Sequence, residues 1–319
     1  ADQLQLAFAV GTKHFLYQIH AFLSYFLLSR SFFVFIAQCM MCFRSKRSYR
    51  YSYTILFILT AVVMVPFLWS ILLSFKTNNE IVNAPTALPA VFNFDNYVRA
   101  LETLDLPSMY KNTIIIAVVA EFITLIITFM SSFAISRLVF RKERNRKALY
   151  YYFLFGLAVP IYILLFPVYR LNAAMGVLDT YLALILPYIA VAIAFNSLLF
   201  VGFLNDFPGE VEEAAIIDGC GVIKLCAQII VPIIKPIFAT VIVFNVIYIW
   251  NEFPFAVTYI TSPNMFTLSL SASMFKGQFS MDYSGMIAAT VLIMIPQLIF
   301  YIFLQKYIIS GMTEGAVKA

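Results

Sequence analysis

Between two long apolar runs, residues 206–232 gather Asp206, Glu210, Glu212, Glu213, Asp218 and Lys224. A chain that only had to insert into lipid would gain nothing from that cluster. The segment reads as two short helices around a glycine turn. Asp206 is expected as the N-cap and Pro208 in the first turn, with the glutamates at the positive end of the helix dipole. Ala214 and Ala215 give a small-residue surface, and Gly219 and Gly221 allow a sharp bend where a Cβ would clash. A bent, charged helix pair of this kind suits docking into a cleft on a soluble partner. A plain surface loop with chance alanines is the competing reading.

No other residue set offers bond-making chemistry. His14 and His20 are the only histidines, and both precede the apolar core. Cys39 and Cys42 have a CxxC spacing without companion ligands, and Cys220 and Cys226 form no framework. There is no glycine-rich phosphate loop and no Ser/His/Asp set. The sequence therefore reads as non-enzymatic, with no metal and no cofactor of its own.

The elements that must carry the polar island are membrane helices. Apolar residues are 62% of the 319 and charged residues 12%, against roughly 45–50% and 25% in soluble domains. Six segments reach the roughly 20 residues needed to span hydrocarbon. They are about Tyr53–Phe75, Thr113–Ser136, Ala148–Tyr169, Tyr181–Phe203, Ile233–Phe253 and Tyr283–Lys306. Continuous runs rather than alternation predict an all-α, polytopic helix bundle and not a barrel. Two regions are expected: 1–43 as an N-terminal extension, and 44–319 as the transmembrane domain with the docking helices at about 206–231. Phe15–Phe43 reads as an extra helix with Arg30 snorkelling; an interfacial helix and an altered leader stand as alternatives.

Charge placement sets the orientation. Arg44, Lys46, Arg47, Arg50, then Arg137, Arg141, Lys142, Arg144, Arg146 and Lys147, then Lys224, Lys235, Lys306 and Lys318 fall on one side if the spans alternate. The positive-inside rule makes that side cytoplasmic, together with the polar island and the C-terminus. The basic cluster at Arg141–Lys147 is read as an orientation signal and lipid-headgroup contact, not a nucleic-acid site. Lys76–Lys111 is the longest outer loop, and Phe255–Asp282 is a second outer segment, read either as dipping toward a cavity or as a lid.

Glu213-Ala214-Ala215, Gly219, Ile229 and Val231-Pro232 resemble the coupling signature of ABC importer permeases: EAA, three residues, Gly, nine residues, then I-x-L-P, with Val231 replacing Leu. The resemblance extends over nearly all of Arg44–Ala319. It is carried by Asn112-Thr113, Phe133–Arg137, Phe166–Tyr169, Gly176–Thr180, Trp250–Phe253 and the tail from Gln305 to Lys318. These pieces are similar to the sugar-importing branch, the smaller maltose-type permease subunit. Cys220 and Leu225 depart modestly from the usual pattern. The resemblance implies a bacterial cell-membrane permease for sugars or oligosaccharides. Its implied partners are a second permease, two cytoplasmic ATPases that bind the ATP, and an extracellular solute-binding protein. Glu213, Ala214, Ala215, Asp218, Gly219 and Pro232 would couple to the ATPase, by apolar contacts from Ala214, Ala215 and Ile217 and by Glu213 pairing with a basic residue there. Asn172, Asn196, Asn245, Tyr248 and Asn251 are candidates for the substrate path. Glu121, buried by sequence in the second span, is read as hydrated or beside Lys111 in preference to a ligand role. The alternatives are a permease of the same class for amino acids, peptides or phosphate, an ion-coupled secondary transporter working through Glu121 or Glu252, and a purely structural anchor.

Overall fold

A computed structural model describes residues 46–138, 140, 142–277 and 281–316, with side chains described over 53–55 and 57–305 of these. The expected extension at 1–43 lies outside the described residues. Helices dominate the rest, in two compact units: residues up to Leu106 with Leu270–Ile302, and Pro107–Ser269 with the stretch from Phe303.

In the first unit, helix α1 (Lys46–Leu73) is followed by α2 (Asn78–Asn83) and α3 (Asp95–Thr103). The outer loop is thus largely ordered. Thr77 and Glu80 form a reciprocal capping box at the start of α2. The Lys76 ammonium is buried, donates to the Ala84 carbonyl at 2.8 Å and lies 5.8 Å from the Trp69 ring centre. Asn96 donates to the Ser74 and Lys76 carbonyls at 2.7 and 2.8 Å. Asp282 collects the Asn78 amide, the Arg99 guanidinium and the Gly285 N–H.

The second unit holds α4 (Leu106–Arg137), α5 (Glu143–Phe155), α6 (Leu165–Ala174), α7 (Leu182–Asp206), α8 (Gly209–Ile217), α9 (Val222–Ile233), α10 (Lys235–Asn251) and α11 (Pro254–Tyr259). The last helix, α12, covers Tyr283–Ala316. Phe129, Phe200 and Phe238 meet with ring centres 4.9–5.8 Å apart and tie α4, α7 and α10 together. Phe195 and Phe244 add a contact between α7 and α10 at 5.4 Å. These rings head a core that continues through Leu204, Ala215, Leu225, Ile230 and Ile234.

Among the described residues, four helices are long and apolar enough to cross a membrane, or six if two bent pairs each count as one span. The bent pairs correct the expectation of six unbroken segments. Residues 143–158 and 161–174 meet at 89°. Pro160 has no N–H to donate and holds Val159 in extended backbone, φ −84° and ψ 118°, so an apolar run cannot continue as one helix. The second pair, α9 and α10, meets at 79° at Ile234, between Pro232 and Pro236.

At the end of the bundle where α4 begins and α11 stops, side chains take over the backbone bonding. Asn112 donates to the Asn264 and Phe266 carbonyls, both at 2.9 Å, and Thr113 accepts from Leu268 N–H at 2.9 Å. The outer segment after α11 is therefore held down, with Tyr259, Ile260 and Leu268 buried. Asp179 adopts φ 59°, a left-handed conformation that aspartate tolerates. Its carboxylate accepts from the Thr261 and Ser262 N–H groups at 2.8 and 2.9 Å and from the Ser262 hydroxyl.

Those donors, the Ser262 hydroxyl foremost, hold the Asp179 carboxyl below its ordinary value. A depressed folded-state pKa gives stabilisation that is present above the unfolded value of about 3.9 and lost as pH falls through the folded one. Hydrogen-exchange protection of the Thr261 and Ser262 amides should therefore persist at pH 5 and disappear under strongly acidic conditions. Asp179→Ala should remove it at every pH.

Candidate coupling loop and polar path

Helix α8 is short, and its ends are fixed by local chemistry. Phe207 precedes Pro208 and is driven into extended backbone, φ −73° and ψ 132°, which stops α7. Asp206 is accordingly the last residue of α7 and not the N-cap of α8; Pro208 occupies the N-cap. Glu210 and Glu212 stand in the first turn, at the positive end of the helix dipole, as the sequence suggested.

At the other end, Gly219 has φ 77°. The Cys220 N–H reaches the Ala215 carbonyl at 2.9 Å and the Gly219 N–H reaches Ile216 at 3.0 Å. These two bonds make a Schellman motif, in which a left-handed residue after the helix satisfies carbonyls left open by its last turn. Asp218 caps the turn and is exposed. Cys220 packs beside Ala215 on the apolar core, the contact between the residue after the turn and the last helical turn that this motif favours.

The helix sorts its residues by face. Glu212 and Ala215, three apart, are buried; Glu213, Ala214, Ile216 and Ile217 are exposed, Ile217 at 84%. Ala215 therefore cannot be the docking contact expected of it, because it fills the core under α8. Ile223 on α9, 82% exposed, extends the outer apolar surface across the turn.

Glu212 faces the end of α4. Arg137 Nε donates to its Oε1 and Oε2 at 2.7 and 2.8 Å, and Arg137 Nη2 donates to the Leu204 carbonyl at 2.5 Å. Both charged side chains are largely buried, 20% and 10% exposed. The sequence reading took Arg137 as an orientation charge and Glu212 as one of several acids; 75 residues separate them and no spacing rule joins them.

Beyond the turn, Leu225–Ile230 of α9 is π-helical. Pro232 can donate nothing to the Gln228 carbonyl and its ring would press on it. Wider turns move the carbonyls aside, and Val231 N–H bonds Cys226 O five residues back. Pro232 itself is exposed.

The expected path residues divide. Asn172 is buried and donates at 3.0 Å to the Ala183 carbonyl, which Pro187 inside α7 leaves without a backbone donor, so this amide is committed to the fold. Asn251 bonds back to Ile247 in its own helix at 2.7 Å. Tyr248 is half-buried against the Tyr188 ring at 5.9 Å. Asn196 and Asn245 are buried in facing helices, and neither Asn196 amide atom finds a protein partner among the described residues. Glu121 lies against the Asn245 amide without a well-formed hydrogen bond. At 7% exposure it is neither hydrated nor near Lys111, which stands ten residues back, about 15 Å along the helix. Glu252, named for ion coupling, is committed elsewhere. It accepts from Tyr188 Oη and Phe255 N–H at 2.8 Å and from Ala256 N–H at 3.2 Å, and so starts α11.

Residues 127–314 match the family described as binding-protein-dependent transport system inner membrane component. The chain belongs to this family. Its several apolar helices fit a multi-pass membrane component of that kind. An ABC transporter permease protein of Caldicellulosiruptor is 35% identical over 86% of this chain and 98% of its own length. A trehalose/maltose transport system permease of Thermococcus litoralis is 31% identical over 83% of this chain and 96% of its own. In fold, the chain is similar to part of a bacterial ABC transporter involved in the import of the acidic polysaccharide alginate, with TM-score 0.68 and 20% identity over 83% of this chain and 98% of that one.

A Cβ at Gly219 would meet nothing within 4 Å, so substitution there acts through backbone strain alone. Gly219→Ala should destabilise the turn by about 1–2 kcal/mol. Maleimide labelling of Cys220, followed by mass spectrometry, should speed up by roughly 5- to 30-fold, with Gly219→Asn intermediate.

Proposed function

We propose that this chain is one of two permease subunits of an ATP-driven importer of sugars or oligosaccharides, working with a second permease, two cytoplasmic ATPases and an extracellular solute-binding protein. The observation that carries this is the two-faced helix α8. Its inner stripe is locked to the bundle through Glu212 and Ala215, and its outer stripe presents Glu213, Ala214, Ile216 and Ile217. An apolar surface with one carboxylate, lying where the loop charges put the cytoplasm, fits a cleft that carries a basic residue. The C-terminus lies on that same cytoplasmic side. The sugar class is supported by the relatives, among them permeases named for trehalose/maltose and for diacetylchitobiose uptake.

In this reading the ATP is held by the partner ATPases, and the chain itself carries out no bond chemistry. Closure of the ATPase pair moves α8, and the Schellman turn at Gly219 passes that motion to α9 as well. Inverting an access equilibrium takes several kcal/mol, on the order of 5 for a shift from 1:99 to 99:1. ATP binding supplies that; one exposed ion pair does not. Asn196 and Asn245, with Tyr248 on the same helix as Asn245, are the groups best placed to meet sugar hydroxyls, since their helices bury unbonded amide atoms. Glu252 is less suited to ion coupling, because three donors already occupy it.

The test is reconstitution of the purified assembly in vesicles, with maltose, trehalose and diacetylchitobiose as probes. ATP-dependent uptake of one of them is expected. Glu213→Lys and Gly219→Pro should insert normally yet lower uptake per ATP by about tenfold or more, the effect of losing at least 1.4 kcal/mol of coupling. Uptake at the normal ATP cost by either variant would remove the coupling role of this helix. Uptake driven by an ion gradient without ATP would replace the reading with a secondary transporter.

A further inference from the structure

From the geometry at Arg137 we infer that this residue is the latch through which α8 moves the span α4. The inference rests on the permease reading and says which part of the bundle takes up the motion. Helix α8 is joined covalently to α7 through residues 207–208 and to α9 through the Gly219 turn. No covalent path of comparable length reaches α4, whose last residue, Arg137, is 75 positions from Glu212. The guanidinium supplies that missing connection. Its Nε grips both Glu212 oxygens, and its Nη2 holds the Leu204 carbonyl in the final turns of α7. One side chain therefore joins the ends of two spans to the inner face of the docking helix.

Three features suit it to transmission and not merely to packing. Two donors of one planar guanidinium, Nε to Glu212 and Nη2 to the Leu204 carbonyl, fix its angle as well as its distance, which a lysine ammonium cannot do. Arg137 ends its helix and Glu212 begins its own, so each charge sits at the dipole end that favours it. The pair is mostly withdrawn from water, where screening is weak and separating the charges is costly. Apolar side chains of the core, such as Phe133, Leu204, Phe207 and Ala215, can slide past one another; an ion pair whose guanidinium is also tied to a backbone carbonyl resists sliding. When α8 is displaced, the end of α4 has to follow or the pair has to break.

The experiment uses the whole assembly of this chain with its partner permease and ATPases, in detergent or nanodiscs, and the non-hydrolysable ATP analogue AMP-PNP. Hydrogen exchange is followed over 133–138 at the end of α4 and over 209–217 in α8. In the unmodified assembly both segments should change their exchange on adding AMP-PNP. In Glu212→Gln, which keeps the side chain's size and loses its charge, α8 should still respond and the end of α4 should not. Arg137→Lys should give the same uncoupled pattern, and the double variant should be no worse than either single one, since all three break one link. A response at the end of α4 in Glu212→Gln equal to that of the unmodified chain would overturn the latch. So would an unmodified assembly in which α8 responds and α4 does not, a result that needs no variant to fold. If α8 itself does not respond to AMP-PNP, the docking reading has failed and the latch with it.

Discussion

Inside hydrocarbon, a backbone N–H or C=O that leaves a helix has no water to turn to, and this chain leaves its helices often. The bends at Pro160 and Ile234, the stop at Glu252 and the outer segment after α11 all expose such groups. Several of the freed groups are met by polar side chains, while the Gly219 turn closes on backbone bonds alone. Asn172 takes Ala183 O, Asn112 takes two carbonyls of the outer segment, Thr113 takes an amide, Tyr259 takes Leu165 O, and Glu252 takes two amides of α11. Much of the polarity that looks like a binding path in the sequence is thus consumed by the fold. Among the described residues, what is left over includes Asn196, Asn245 and Glu121, with the Ser132, Ser136 and Ser197 hydroxyls and the Trp250 indole N–H, polar atoms that the protein itself does not satisfy.

The same constraint accounts for the contrast between the two ends of the second unit. At the outer end, neutral amides and hydroxyls bond to backbone. At the end that carries α8, the bonding is ionic, with Arg137 spanning a carboxylate and a carbonyl. Neutral pins hold shape at modest cost in desolvation, whereas a paired charge adds a strong directional preference together with a penalty for partial separation. In the proposed function, with a partner docked on α8, that difference would let one end hold its shape while the other follows the partner.

Several local features are legible in the sequence. Gly219 was marked as the bend and proves left-handed; the acids of α8 were placed at its start; the apolar runs gave the helices and the multi-pass class. What sequence reading missed was set by longer range or by competition. Ala148–Tyr169 is apolar throughout, so hydropathy could not show that Pro160 turns it through 89°. Each face of α8 carries a glutamate and an alanine, so residue type could not say that Glu212 and Ala215 point inward and Glu213 and Ala214 outward. Arg137 and Glu212 each had a sufficient explanation alone, one as an orientation charge and one as a dipole partner, and nothing in either neighbourhood demanded the other. Asn172 reads from sequence as a group for sugar hydroxyls because its partner, the Ala183 carbonyl left open by Pro187, is met only once α6 and α7 are folded. Asp206 fitted an N-cap by residue type, but α7 had already claimed it.

The division of α8 into an inner and an outer stripe also separates two histories of change. Substitutions at Glu213, Ile216 or Ile217 meet only what lies outside the bundle, and can drift together with the surface of an interacting protein without disturbing the helices behind them. Substitutions at Glu212 or Ala215 meet this chain alone and must be answered by Arg137, Leu204 or Phe207. A helix of nine residues thereby lets the bundle exchange or retune its neighbour while its own interior stays as it was.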